Sequence, residues 1–150
     1  MSGSVAFSFG SFGDITTVLQ LAWSLKQILL EAGRGPSEIE ELVTHIDVFT
    51  SALQQVKGVL EGRNADAPPA LANGISLALR TCLQILSGMH NSLEGQKKKI
   101  TGAVGRSAWL TYLATCSWLL LGGKRKVEAA KKQLSEQVDA ITTLLAVANW

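Results

Sequence analysis

The side chains able to do chemistry are few and scattered. His45 and His90 each stand without a cysteine or a second histidine at metal-ligand spacing. Cys82 and Cys116 sit inside apolar helical patterns and form no Cys-x-x-Cys pair, which predicts reduced, buried thiols in an intracellular chain. The glycines at 10 and 13, and at 102 and 105, complete neither a dinucleotide fingerprint nor a phosphate-binding loop, and no strand pattern precedes them. Grouped carboxylates occur only as Glu38, Glu40 and Glu41, in what reads as the first turn of a helix, where the dipole favours negative charge. No candidate nucleophile has an evident base. The expectation is no enzyme, with no catalytic residues, no metal and no cofactor.

Two other features carry the functional information. The first is the opening run Val5-Ala6-Phe7-Ser8-Phe9-Gly10-Ser11-Phe12-Gly13, uncharged until Asp14. Glycine makes it flexible and phenylalanine makes it hydrophobic, so a membrane-inserting role is one reading and a greasy lead-in to a buried helix is the other. The second is charge asymmetry. The net charge is only +2, yet residues 97–132 hold nine Lys/Arg against the single acid Glu128. A basic block beside apolar residues suits an anionic surface. The bland alternative is a solvated loop and helix end.

The elements that must position these residues are all helical by pattern. Residues 1–13 read as a flexible apolar segment and 14–150 as one helical domain, long enough to bury roughly 70% of its unfolded surface. A first helix is expected from about Asp14, a good N-cap, to Ala32, with Gly33 placed to stop it. It is apolar around most of its circumference, with Gln20, Ser24, Gln27 and Glu31 as a narrow polar stripe. Ser37-Glu38-Ile39-Glu40 is a capping box that opens a second helix. There Ile39, Leu42, Ile46, Phe49, Leu53, Val56 and Leu60 keep a strict 3-4 spacing, a bundle seam.

Residues 61–69 are a polar connection containing proline. A third helix follows with Leu71, Ile75, Ala78, Cys82, Ile85 and Met89, fading near Leu93 into a loop of Gly95 and the lysine triplet. Ser107 to Gly123 carries no charge. It is at the lower limit for crossing a membrane, roughly 17–25 residues, and Trp109 and Trp118 favour its burial against other helices instead. Gly122-Gly123 break it, and a last helix runs from about Lys124 to Ala148. The predicted fold is all-α: an antiparallel four-helix bundle with an additional short helix before the last long helix. No secretory signal is visible, and glycine at position 3 breaks the myristoylation pattern.

The opening Phe7-Ser8-Phe9-Gly10-Ser11-Phe12-Gly13-Asp14-Ile15, followed by Leu21-Ala22-Trp23, resembles the N-terminal domains of fungal STAND (NLR-like) and HeLo-like proteins. The end also fits: Trp118-Leu119-Leu120 leads into Lys124-Arg125-Lys126, then Ile141-Thr142-Thr143-Leu144-Leu145. The resemblance covers essentially the whole chain. Its lysine triplet with Gly102 and Gly105, and the absence of a nucleotide-binding or ubiquitin-like module, depart from the pattern.

Such domains are similar to the four-helix bundle of the mixed-lineage-kinase-like necroptosis effector and to fungal HeLo toxins. The resemblance therefore implies a cytoplasmic bundle that moves to the plasma membrane on activation, homo-oligomerises and permeabilises it, causing programmed cell death as part of fungal immunity. On this reading Val5, Phe7, Phe9, Phe12, Ile15 and Leu19 insert. Lys97, Lys98, Lys99, Arg106, Lys124, Arg125 and Lys126 contact anionic phospholipid, and nucleic acid is not a partner. The alternative is a non-lytic adaptor making protein–protein contacts for a STAND/NLR-type receptor.

Overall fold

The computed structural model describes residues 2–32, 37–62 and 68–148, and every regular element among them is helical. Five α-helices follow in order: α1 Ser2–Leu29, α2 Ser37–Gly62, α3 Pro69–Val104, α4 Arg106–Leu120 and α5 Lys124–Ala148. A 3-10 turn, Leu30–Ala32, extends α1. The fold is all-α, as the periodicity predicts.

The second seam is the most faithful to its pattern. Ile39, Leu42, Ile46, Phe49, Leu53, Val56 and Leu60 are all buried. In α1 the buried set is narrower than its composition suggests: Ile15, Val18, Ala22, Leu25 and Leu29 repeat at 3-4 spacing, while Trp23 stays 62% exposed. Tertiary packing thus selects one stripe from a helix that is apolar nearly all round. In α3 the buried line passes through Leu79, Leu86 and Leu93, and Ile85 lies at its margin. The helices share one continuous core: α3 packs on α1, α5 and α4, α1 packs on α2, and α2 packs on α5.

Three boundaries differ from the sequence reading. First, α1 begins at Ser2 instead of Asp14. Each of Gly3, Gly10 and Gly13 costs about 1 kcal/mol relative to alanine, but no proline blocks the ladder, so a helix nucleated on the Ile15–Leu29 stripe propagates back.

Second, α3 does not fade at Leu93. It continues through Gly95 and the lysine triplet to Val104, because Gln96 and the lysines are good helix formers and Lys97 gains a partner. Gly105 is the actual stop. Its φ of 104° and ψ of 170° suit glycine alone, its N–H donates to Thr101 at 3.0 Å, and its carbonyl accepts from Trp109 at 3.3 Å as α4 begins.

Third, α4 spans only 15 residues, too few to cross a hydrocarbon core. Among the described residues it is α3 that is long and apolar enough, and its apolar residues from Leu71 to Leu93 form the centre of the core. Gly122 and Gly123, both at positive φ, turn the chain from α4 into α5. Gly33 and the side chains of Ser37, Glu38 and Trp118 lie outside the described residues.

Candidate functional site

The densest polar chemistry sits where the end of α1 meets α3 and α4. Glu31, in the 3-10 turn, accepts from Lys97 Nζ of α3 at 2.6 Å through Oε2 and from Trp109 Nε1 of α4 at 2.9 Å through Oε1. Trp109 has no exposed surface, so its indole N–H has no water to turn to. Burial pushes the Glu31 carboxyl up. The hydrogen bonds from Lys97 and Trp109, with the charges of Lys97 and Arg106, outweigh that and hold it below the usual carboxylate range. One carboxylate thereby joins three elements.

On the far side of this junction, α4 folds back along the last turns of α3, with Ser92 Oγ donating to the Leu120 carbonyl at 2.6 Å. An open groove of about 450 Å³ lies between them, lined mainly by Gln96, Lys99, Ile100, Val104, Tyr112 and Leu119. Val104, Tyr112 and Leu119 are 69%, 48% and 57% exposed. Lys98, Lys99 and Arg106 are exposed close by in sequence, and Lys124, Arg125 and Lys126 follow the turn that closes α4. None of these six cations has an acidic partner within ion-pair distance among the described residues.

The proposed lipid-contact set therefore divides. Lys97 is not a free cation of a solvated loop: it is committed to Glu31 on the helix face turned toward the core. The expectation of a loop at the lysine triplet is corrected: Lys97, Lys98 and Lys99 lie within α3, where each residue turns about 100° from the next. The other six remain exposed.

The insertion set divides too. Ile15 is fully buried and Leu19 is half-buried against the core. The side chains of Val5, Phe7, Phe9 and Phe12 lie outside the described residues, although their backbone belongs to α1.

His45, Lys131 and Lys26 have structural partners. His45 Nε2 lies 3.0 Å from the Lys131 carbonyl, which requires the proton on that nitrogen, and 3.5 Å from Ser135 Oγ. Lys131 itself bridges Glu41 at 2.6 Å and Glu128 at 2.9 Å, tying α5 to α2, while Lys26 and Asp47 tie α1 to α2 at 2.6 Å. Cys82 is a free, buried thiol whose burial pushes its pKa up to about 12. Among the described residues no three His, Cys, Asp or Glu side chains converge to hold a metal.

The Glu31 junction was not apparent from spacing, where Glu31 is only one member of a polar stripe. One signal was present: a carboxylate at a helix C-terminus opposes the dipole and calls for a cationic or N–H partner. Comparison with protein-family models, with curated proteins and with solved structures finds no match to this chain.

Proposed function

We propose that this chain is a HeLo-like, membrane-targeting domain that permeabilises anionic membranes after oligomerisation and so acts as a cell-death effector. In this reading α1, α2, α3 and α5 form the antiparallel four-helix bundle and α4 is the additional short helix. The observation that carries the proposal is the exposed surface of α3, α4 and early α5. Six cations there, in no ion pair among the described residues, lie along the same elements as the exposed apolar residues Val104, Tyr112 and Leu119. Near an anionic bilayer each such cation contributes on the order of 1 kcal/mol, and exposed apolar side chains add burial in the interface.

The burial of α1 constrains how insertion proceeds. Ile15, Val18, Leu25, Ile28 and Leu29 are core residues, each worth about 1.5–3 kcal/mol when buried. Withdrawing the whole helix therefore costs on the order of 10 kcal/mol, comparable to a domain's entire stability. Insertion starts with the residues before Ile15, and opening of the rest is coupled to oligomerisation.

Dye release from vesicles of anionic phospholipid tests the proposal, using the parent, a deletion of residues 2–13, and Lys98→Gln/Lys99→Gln/Arg106→Gln. Lys97 is left in place because it serves the fold. The deletion should fold and lose leakage. The triple variant should bind vesicles on the order of 100-fold more weakly at low salt, three charges at about 1 kcal/mol each, with the difference shrinking as salt rises. Unchanged leakage in both variants, or equal binding to neutral vesicles, would refute the proposal and leave the adaptor as the better reading.

A further inference from the structure

We propose that the groove between the second half of α3 and α4 is a binding site for one alkyl chain of an anionic lipid. Lys99 at its edge would hold the headgroup. Three observations point to this ligand class. The first is the lining: among the described residues it is apolar along Ile100, Val104, Leu119 and the Tyr112 ring, with Gln96 polar, Lys99 charged and no carboxylate. An elongated apolar body with an anionic end matches that distribution, whereas a cationic or neutral amphiphile does not.

The second is size. About 450 Å³ lies within the roughly 300–1,000 Å³ range of small-ligand sites. A ten-residue helix, about 10 Å across and 15 Å long, occupies roughly 1,200 Å³ and would rest on the groove instead of filling it.

The third excludes a second copy as the occupant. A twofold contact through this groove would bring the Lys99 side chains of both copies into one interface, and among the described residues Lys99 has no acidic partner to offset the repulsion. The groove exists because Gly105 reverses the chain in a single residue, which splays α4 from the final turns of α3 while Ser92 pins its far end to Leu120. The inference rests on the membrane reading only for the source of the ligand. The pocket itself is a property of the folded monomer.

The test uses the full chain and cis-parinaric acid, an anionic fluorescent fatty acid, kept below its micellar concentration. Saturable binding of one molecule per chain is expected. Lys99→Glu should weaken it at least tenfold and reverse the preference between dodecanoate and dodecyltrimethylammonium as competitors. Leu119→Glu, which places a carboxylate in the groove from an exposed position, should weaken it at least tenfold without loss of helicity. Val104→Glu takes its place if that variant does not fold.

Non-saturable uptake, or uptake unchanged by Lys99→Glu and by the groove carboxylate, would overturn the proposal. So would concentration-dependent dimerisation that Leu119→Glu abolishes, which would assign the groove to a second copy. The two readings fail separately. Vesicle leakage without monomeric fatty-acid binding removes the groove site alone, and fatty-acid binding without leakage removes the membrane-permeabilising role alone.

Discussion

Replacing Glu31 with alanine should destabilise the domain by about 1–4 kcal/mol, more than a typical surface substitution. The magnitude has two parts. Trp109 is fully buried, so its indole N–H loses its acceptor and cannot reach water; an orphaned buried donor costs about 1–3 kcal/mol. Lys97, with its side chain 28% exposed, loses an ion pair worth up to about 1 kcal/mol and turns to solvent. For a chain of this size, about 2–4 °C per kcal/mol gives a fall in Tm of roughly 2–16 °C. Glu31→Gln keeps an acceptor for Trp109 and should lose only about 1 kcal/mol. Urea and thermal unfolding by circular dichroism separate the two.

The pH dependence follows from the same contacts. Because Lys97, Trp109 and Arg106 outweigh burial and hold the folded carboxyl below 4.5, the unfolded chain takes up its proton first as pH falls. The stabilisation is therefore complete above 4.5 and is lost as pH drops through the lower folded value. The parent should converge on Glu31→Gln in that acid range and exceed it at pH 7. Equal stability of the alanine and glutamine variants, or a gap between parent and glutamine that stays constant from pH 7 to pH 3, would refute the reasoning.

Two glycines should respond with opposite signs. Gly105 has φ of +104° with nothing within 4 Å of a built Cβ, so Gly105→Ala should cost about 1–3 kcal/mol from backbone strain alone. Gly88 lies within α3 with equally open space, so Gly88→Ala should stabilise by up to about 1 kcal/mol; urea midpoints read both. In a Cys116→Ser background, Cys82 should resist iodoacetamide at pH 8 in the folded protein and react only as urea unfolds it, since burial holds its thiol near pKa 12. Rapid alkylation without denaturant would show that this helix opens locally.

What the sequence alone determined is the local order of the chain. The 3-4 repeat from Ile39 to Leu60 is a property of neighbouring residues, and it marked both the helix and its buried face. Gly122-Gly123 and Lys124 placed the start of α5 for the same reason, because a double glycine interrupts helix propagation wherever it stands. Boundaries failed where tertiary contacts outweighed propensity. Gly95 and three lysines read as a loop, yet Lys97 meets Glu31, 66 positions away, and the helix runs on to Gly105.

The nearly uniform apolar surface of α1 could not reveal which stripe would be buried. Only packing on α2 and α3 chose Ile15, Val18, Ala22, Leu25 and Leu29 and left Trp23 outside. The same holds for the candidate sites. The basic block and the apolar residues of α4 were each visible as composition, but the meeting of Lys99 with Tyr112 and Leu119 along one groove depends on a single-residue reversal at Gly105. Trp109 and Glu31 lie 78 positions apart; a carboxylate at a helix end calls for some partner, but nothing in spacing marks Trp109 as that partner. Periodicity reports what a residue does within its own helix. Pairing between helices depends on how whole elements share one core, and that is decided by the packing of all of them at once.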